Sequence, residues 1–357
     1  MISIALDVST IDHQNLTGIG NYTKYLASSL SKSDQVTVTG SYKLSRLKNR
    51  AIIKKHLPGL TITPFIPFFS SALNSQFQIF HGPDFRIPNI KNCKKVVTIH
   101  DMVYAKSDFV SKEFKNWGTQ RMRKVLFKMK PDRILTVSDF AREEFLSYYP
   151  QFESRTESIY LGCDHIEPIN DSPKMFSFPY ILFVGHLDRR KNIDGVIKAF
   201  ELYQKQNNSE LHLVIVGSKG MDSEWSKTIR DMIQKSSYEK QIVNLGYTTS
   251  EKLRALYRDA FCFLFPSFYE GFGIPNLEAM QLGCPVITSN LGAMKEVCGQ
   301  AALFVDPGNL DEIANGIKSL QDTKLRSEII QRGITHASSF TWKKCADKTI
   351  SAYEKLI

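Results

Sequence analysis

The sequence alternates between short apolar runs and longer segments of mixed polarity, and this alternation occurs in two blocks. The apolar runs of the first block cover residues 2–7, 36–40, 77–81, 96–100, 134–138 and 158–160. Those of the second block cover residues 180–184, 211–216, 242–245, 261–265, 286–288 and 302–305. Short runs bounded by turn residues are typical of strands buried on both faces of a parallel sheet, with helices between them. The pattern therefore predicts an α/β chain with two parallel sheets.

A segment without periodicity separates the two blocks. Residues 165–179 contain three prolines and no hydrophobic period, which favours a hinge between two domains. We predict an N-terminal domain over residues 1–168 and a C-terminal domain over 169–340. A closing helix over 341–357 is expected to pack back toward the N-terminal domain. Two such domains imply a cleft, and ligands of open α/β sheets bind off the carboxyl ends of the strands.

Composition excludes several classes of protein. With 42% hydrophobic and 23% charged residues, the chain is typical of a globular protein. It has no apolar run of about 18 residues that would cross a bilayer. Its N-terminus reads as a strand rather than a signal peptide, so we expect a cytoplasmic protein. The cysteines have no metal-ligand spacing, which predicts reduced, packed thiols and no metal site. They are Cys93, Cys163, Cys262, Cys284, Cys298 and Cys345.

Positive charge is concentrated in the first half of the chain. Residues 1–170 hold 23 Lys and Arg against 15 Asp and Glu, which is +8 of the total net charge of +10. From charge alone, this excess is equally compatible with an anionic partner and with a surface that only keeps the protein in solution. A predicted helix over residues 111–130 carries seven basic residues. This helix could dock on an anionic bilayer. For its apolar side we favour the alternative, which is packing against the core of the domain. That side holds Phe114, Trp117, Met122, Val125 and Met129. The run PFIPFF at 64–69, which we expect in a loop, is a second apolar candidate for contact with a bilayer.

The stretch with the most chemical content is FPSFYEGFGIPNLEAMQLG, residues 265–283. A predicted strand ends at Phe265, a glycine loop follows, and Pro275 suits the first turn of a helix. Glycines expose backbone amides and a helix N-terminus favours negative charge, so the loop suits a diphosphate. Glu270 in the loop and Glu278 in the helix suit sugar or ribose hydroxyls, because carboxylates accept hydrogen bonds strongly.

A cationic stretch, GHLDRRKN, follows the first predicted strand of the second block. Arg189, Arg190 and Lys191 lie at the carboxyl end of that strand, where an anionic ligand would bind. Because a helix N-terminus disfavours cations, a bound phosphate would relieve their repulsion.

Two shorter motifs lie in the first block. GIGNY lacks the third glycine of the nicotinamide-binding fingerprint, because Thr23 stands in its place. VVTIHD ends a predicted strand with His100, and a histidine there can bond a reacting group. His81 ends another strand and is a weaker candidate. No nucleophilic Ser-His-Asp or Cys-His set is indicated.

Taken together, these motifs resemble the family-four retaining glycosyltransferases. That family has the GT-B architecture, in which two Rossmann-like domains face each other across a cleft. Glu270 and Glu278 match the family's two glutamates separated by seven residues, and Arg190 with Lys191 matches its phosphate-binding pair. GIGNY resembles the N-domain glycine loop, and TIHD the segment that brings a histidine to the reaction centre. The motifs occur in the order and spacing of the family, and the resemblance covers almost the whole chain.

The resemblance implies a role for each motif residue. Glu278 would contact the ribose, Glu270 the transferred sugar, and the two cations the departing diphosphate. The implied catalytic residues are His100, Glu270, Arg190 and Lys191. The implied donor-binding residues are Gly18, Gly20, Arg190, Lys191, Gly246, Tyr247, Glu270, Gly271, Phe272, Gly273 and Glu278. The implied acceptor-binding residues are Asn21, Tyr22 and Asp101.

The resemblance also implies the reaction. A hexose would move, with retention, from a nucleotide-diphosphate sugar to a glycan or lipid-linked glycan in surface polysaccharide assembly. GDP-mannose is the favoured donor. No metal or other cofactor is expected, because the cations take its electrostatic role. One position departs from the family: His186 stands where many relatives have arginine, so Arg190 is expected to carry more of the phosphate binding.

Alternatives remain beside this interpretation. A GT-B-fold epimerase would need no acceptor, and a catalytically silent subunit would bind the nucleotide sugar only. Binding of nucleic acid is not indicated, since no recognised module or stacking-aromatic motif is present. The basic first half favours peripheral contact with an anionic membrane on its cytoplasmic face.

Overall fold

The computed structural model describes residues 1–65, 77–88, 90, 92–106, 108–167, 173–218, 220 and 222–357. Within them the chain forms two compact units. One unit consists of Met1–His165 with Phe340–Ile357, and the other of Ile166–Ser339. Residues 66–69 of the predicted apolar loop and residues 168–172 of the predicted hinge lie outside the described residues.

The described part of the first unit contains a seven-stranded parallel sheet. Its strands are β1 (Ile2–Asp7), β2 (Val36–Lys43), β3 (Ile62–Phe65), β4 (Ile79–Gly82), β5 (Lys94–Ile99), β6 (Arg133–Thr136) and β7 (Thr156–Ser158). They are ordered β3-β2-β1-β4-β5-β6-β7. The strand order reverses between β1 and β4, and such a switch point is where sheets of this kind bind ligands.

The helices of this unit follow the strands as crossover connections. They are α1 (Gly18–Leu30), α2 (Arg50–His56), α3 (Lys112–Arg123) and α4 (Asp139–Tyr148). Ser111 caps α3, which continues as a π-helical turn over Lys124–Met129 and ends at Lys130, where φ is +51°. The buried apolar residues of this segment pack on the core, as favoured from the sequence; they are Met122, Val125, Leu126 and Met129. Trp117 is half exposed.

The described part of the second unit contains a six-stranded parallel sheet of the same topology. Its strands are β8 (Tyr180–Val184), β9 (His212–Val216), β10 (Ile242–Gly246), β11 (Cys262–Phe265), β12 (Val286–Ser289) and β13 (Leu303–Val305). They are ordered β10-β9-β8-β11-β12-β13, so the switch point lies between β8 and β11. The helices are α5 (Ile193–Asn207), α6 (Ser223–Lys235), α7 (Ser250–Asp259), α8 (Ile274–Gln281), α9 (Gly292–Cys298), α10 (Leu310–Ser319) and α11 (Thr323–Ala337).

The last helix, α12 (Trp342–Glu354), belongs to the first unit. The backbone N–H of Trp342 donates to Asp164 Oδ1 at 2.7 Å, and the Tyr353 hydroxyl lies 2.7 Å from His81 Nδ1. The buried face of α12 therefore completes the core of the unit in which the chain begins.

Each predicted apolar run corresponds to a strand, with ends displaced by up to three residues. Strand β3 was not predicted, because its sequence ITPF is short and contains a proline. Helix α2 was not predicted either. All six cysteines are free, and all but Cys93 are buried, as expected for packed thiols. In the part of the chain that the structure describes, no helix is long and apolar enough to cross a membrane.

Candidate functional site

Three of the predicted site residues meet at the switch point of the second sheet. Arg190 and Lys191 follow β8, and Glu270 follows the neighbouring strand β11. Arg190 Nη1 lies 2.9 Å from Glu270 Oε2, and Lys191 Nζ donates to Glu270 Oε1. The side chains are 19%, 9% and 10% exposed, respectively. We refer to Arg190, Lys191 and Glu270 as the ion cluster.

Asn192 holds the first of these two loops in place. Its backbone is left-handed, with φ of +57°, a conformation that asparagine tolerates better than most residues. Its buried side-chain amide donates to Pro266 O at 3.0 Å and to Pro307 O at 2.7 Å. The residue thereby ties the loop after β8 to the segments after β11 and β13.

Ser267 holds the second loop. It is completely buried, and its hydroxyl lies 2.8 Å from Arg190 O and 3.0 Å from Glu270 Oε1. The backbone N–H of Phe268 also donates to Arg190 O, at 2.8 Å. Neither Ser267 nor Asn192 was predicted to have a role, although both lie within the quoted motifs as small polar residues that suit turns.

The electrostatics of the ion cluster follow from its burial. Burial alone would raise the pKa of Glu270, but the charges of Arg190 and Lys191 and their hydrogen bonds hold that pKa below its ordinary value. Burial lowers the pKa of Lys191 to about 8, although Glu270 counteracts the effect. At neutral pH the cluster therefore carries two positive charges and one negative charge, an excess that suits an anionic ligand.

Arg189, which was predicted to bind an anionic ligand together with Arg190 and Lys191, does not belong to the ion cluster. Its guanidinium stacks on the Trp225 ring, 4.2 Å from the ring centroid, and its Nε lies 3.6 Å from Asp222 Oδ2. Arg189–Lys191 form a 3₁₀ turn, in which successive side chains point about 120° apart. Only two of the three adjacent cations therefore face Glu270.

The glycine loop leads from the ion cluster into α8. Gly271 and Phe272 are buried, and Gly273 has φ of +86° at the start of the helix. A Cβ at Gly273 would lie 2.7 Å from Met294 Sδ, so both the conformation and the space require glycine. The loop thus brings backbone amides to the beginning of a helix, a setting that favours anions.

Glu278 lies within α8 and is buried. Its Oε2 accepts a hydrogen bond from the Tyr257 hydroxyl at 3.3 Å. Burial, the largest effect, raises the pKa of Tyr257 well above its ordinary value, so this hydroxyl stays a donor. Gly246 and Tyr247 are at the end of the edge strand β10, and Tyr247 is half exposed.

His186 stands beside the same loop as the cations. Its Nδ1 lies 2.8 Å from Ser218 Oγ, which follows β9. Burial, more than the nearby charges, lowers the pKa of His186. The imidazole is therefore neutral at physiological pH and adds no charge to the site.

His100 follows β5 in the first unit. Its Nε2 donates to Pro83 O at 2.8 Å, and the Tyr22 ring meets the imidazole edge-on at a centroid distance of 4.9 Å. Burial lowers its pKa. Because Nε2 carries the proton, Nδ1 of the neutral ring is an acceptor. Asp101 accepts from the backbone N–H of Val103 at 3.0 Å.

The motif GIGNY forms the first turns of α1. The side chain of Thr17 caps this helix by accepting from Gly20 N at 3.4 Å. Gly18 has open space around it, whereas a Cβ at Gly20 would lie 3.2 Å from a backbone oxygen. Asn21 is partly exposed. Tyr22 is 3% exposed and its hydroxyl lies 3.0 Å from Thr98 Oγ1, so its side chain packs in the core of the first unit.

His81, the weaker histidine candidate, is an internal residue. Its two ring nitrogens bond Tyr353 OH and Thr98 Oγ1, and it is completely buried. Burial lowers its pKa to about 3. His81 is therefore a neutral structural residue. Within the described residues, no group of three or more His, Cys, Asp or Glu is arranged to hold a metal ion.

Comparison with known proteins identifies relatives of this chain. Residues 169–336 match the family Glycosyl transferases group 1. The chain is 34% identical over 289 residues to O-antigen chain mannosyltransferase B of Escherichia coli, covering 78% of this chain and 74% of that protein. It is 27% identical over 240 residues to O-antigen chain mannosyltransferase RfbU of Salmonella typhimurium, covering 66% of this chain and 62% of that protein.

Solved structures share the fold. A sucrose-phosphate synthase from Thermosynechococcus elongatus matches with a TM-score of 0.78 and 21% identity, over 100% of this chain and 99% of that chain. Anabaena HepE, solved in complex with UDP and glucose, matches with a TM-score of 0.76 and 16% identity, over 99% of both chains. The likeness is one of fold, and it agrees with the GT-B architecture expected from the sequence.

Proposed function

The chain belongs to the family Glycosyl transferases group 1, and we propose that it is a retaining, metal-independent mannosyltransferase. The donor is GDP-mannose and the acceptor is a glycan or lipid-linked glycan of a surface polysaccharide such as an O-antigen. The names of the E. coli and Salmonella relatives support the sugar and the polysaccharide.

The ion cluster is the observation that carries the proposal. Two cations and a carboxylate lie together at the switch point of the sheet, inside the part of the chain that matches the family. Transfer from a nucleotide sugar builds negative charge on the departing diphosphate. Fixed cations aimed at that charge lower the barrier, and the loss of one such contact costs about 2.7–4 kcal/mol.

The remaining residues of the second unit take the roles that the family resemblance implies. Arg190 and Lys191 bind the diphosphate, while Glu270 orients both cations and contacts the sugar. The amides of Gly271, Phe272 and Gly273 lie along the donor. Glu278, whose carboxylate accepts the Tyr257 hydroxyl, binds the ribose. Gly246 and Tyr247 contact the base.

A donor panel tests the proposal. The protein is incubated with GDP-mannose, GDP-fucose, UDP-glucose or UDP-galactose and an α-mannosyl acceptor, with and without EDTA. We expect transfer from GDP-mannose only, undiminished by EDTA, and an axial anomeric configuration by NMR in both donor and product. Transfer from another donor would contradict the assigned sugar. Inversion would contradict retention, and an epimerised free donor would favour the epimerase.

We also propose that the protein acts on the cytoplasmic face of the membrane, held there by its positive charge. The support is that α3 and its π-helical extension bury four apolar side chains in the core but expose cations, including Arg123, Lys124 and Lys128. Flotation with vesicles containing phosphatidylglycerol should recover the protein at low salt, and neutral phosphatidylcholine vesicles should not. Equal recovery with both lipids, or with neither, would contradict this contact.

A further inference from the structure

A second group of charged side chains lies in the first unit, and the donor residues do not include it. Asp7 ends β1, Lys43 ends β2, Arg86 follows β4, and Arg121 lies on α3. All four line a cavity of about 140 Å³. Since β2, β1 and β4 are consecutive in the sheet, the cavity lies off their carboxyl ends, at the switch point where such sheets bind ligands.

The cations of this cavity are incompletely paired. Arg86 forms an ion pair with the buried Asp84. Within the described residues, the ammonium of Lys43 makes no hydrogen bond or salt bridge. Arg121 Nε is buried without a hydrogen-bond partner, and the guanidinium rests against the Trp117 ring at 5.6 Å from its centroid. Among the residues that the structure describes, Lys43 and Arg121 are thus the two cations of the cavity that no ion pair neutralises.

The charge balance of the cavity favours an anion. Three cations and one buried carboxylate, Asp7, line the cavity, and Asp84 pairs with Arg86 without being part of the lining. Burial, the largest effect, raises the pKa of Asp7 above its ordinary value. Leaving cations unpaired in a partly desolvated site costs free energy that an oxyanion recovers. A planar guanidinium beside a compact ammonium is the donor set that phosphate oxygens prefer.

The size of the cavity defines what enters it. Sites for drug-sized ligands enclose about 300–1,000 Å³. A volume of about 140 Å³ admits a single anionic group with its bound water, and not a nucleotide or a sugar chain. The ligand is therefore one charged group of a larger molecule that continues outside the cavity.

We propose that Lys43, Arg86 and Arg121 bind a phosphate group of the acceptor, which is then a glycan carried on a phosphate or diphosphate. This inference rests on the proposed function for the identity of the acceptor, whereas the binding of phosphate does not depend on it. Lys43 and Arg121 contact the phosphate oxygens directly, and Asp84 orients Arg86 toward them.

Binding of inorganic phosphate tests the site itself. Calorimetric titrations are made in saturating GDP, which occupies the donor site. Lys43→Gln/Arg121→Gln is compared with Lys48→Gln/Arg155→Gln, which removes the same charge from exposed positions. We expect at least tenfold weaker phosphate binding in the cavity variant, wild-type binding in the surface variant, and unchanged GDP affinity in both. Absence of phosphate binding to the wild type, or equal loss in both variants, overturns the proposal. Should the double variant not fold by circular dichroism, Lys43→Met, which keeps the hydrocarbon stem, takes its place.

Two further arms separate the possible sources of phosphate. With a diphosphate-linked glycan, the cavity variant should raise KM at least tenfold; with the same glycan as a methyl glycoside it should match the wild type. An equal effect on both acceptors overturns the proposal. Phosphatidylglycerol vesicles that displace inorganic phosphate, without any difference between the two acceptors, would assign the cavity to a lipid headgroup instead. If phosphate binds as expected but no sugar is transferred, the proposed function fails and the site stands.

Discussion

Three cations stand side by side at positions 189, 190 and 191, and their neighbours give them different tasks. Arg189 lies on Trp225, whereas Arg190 and Lys191 both meet Glu270. A surface ion pair contributes little, but a buried cluster of this kind holds its side chains in one geometry. Variants of Arg189, Arg190 and Lys191 can therefore be compared directly, because the three adjacent cations differ in their contacts.

Removing one cation of the ion cluster should slow transfer without unfolding the protein. Arg190→Ala and Lys191→Ala are each expected to lower kcat by about 10²–10³-fold, because a charge aimed at the departing diphosphate is lost. Arg189→Ala removes the same charge one or two residues away and should retain activity close to the wild type. Steady-state kinetics and thermal melting measure both effects. A comparable loss in Arg189→Ala would refute the assignment of the site.

The lowered pKa of Lys191 predicts a pH dependence of donor binding. Below pH about 8 Lys191 is protonated and binds the diphosphate; as the pH rises through about 8, its charge and the affinity for GDP are lost. Lys191→Arg should keep its affinity to higher pH, because arginine stays protonated. Calorimetry of GDP binding from about pH 6.5 to 9.5 compares the two proteins. Because arginine does not titrate in this range, a pH dependence that the variant also shows belongs to GDP itself. Parallel curves would contradict the predicted titration of Lys191.

At the scale of the element, the loops that end parallel strands decide where the charged groups lie. The loop after β8 is held by the left-handed Asn192, whose amide bonds two carbonyls on other segments. The loop after β11 is held by Ser267 and by the left-handed Gly273. The strands supply the frame, but these turn residues set the geometry of the ion cluster.

Replacing Asn192 should destabilise the second unit. Asn192→Ala loses two buried hydrogen bonds and places alanine in a left-handed conformation, at a cost of about 2–4 kcal/mol. Asn208 is the matched control: it is also left-handed, with φ of +46°, but exposed at the end of α5. Asn208→Ala should cost about 1 kcal/mol, from the backbone alone. Urea unfolding measures both, and equal midpoints would disprove the bracing role of Asn192.

At the scale of the whole molecule, the order of the chain does not coincide with its division into units. The chain builds the first unit, then the second, and returns with α12 to the first. Trp342, Ile350 and Tyr353 of that helix are buried there. The stability of the first unit therefore depends on residues that follow the second unit in the sequence.

Truncation after Ser339 should affect one unit only. Without α12, buried residues of the first unit become exposed, and the His81 imidazole loses the Tyr353 hydroxyl. Hydrogen exchange should show lost protection in Met1–His165 and retained protection in Ile166–Ser339. A chain that ends at Lys355 keeps the helix and serves as the control. Unchanged protection of the first unit in the shorter chain would contradict this dependence.

Much of the fold was predictable because buried parallel strands are short apolar runs, and each such run became a strand. Strand β3 escaped because a four-residue run with a proline carries too weak a signal. Within the site, Arg190, Lys191 and Glu270 each follow a predicted strand, and the structure places these two strands side by side, so that their ends meet at one edge of the sheet. The positions of Tyr22 and Arg189 were not predictable, because they depend on partners in other elements, Thr98 and Trp225.

The amino-acid sequence alone determined the two-block α/β organisation and the motifs of a sugar transferase, because strand periodicity, glycine loops and charged strand ends are local properties of the chain. Tertiary structure decided which charges meet. The cavity lined by Lys43, Arg86 and Arg121 draws its residues from separate elements, and no local pattern connects them. Only folding brings distant side chains into one electrostatic environment, where burial and pairing set their charge and orientation.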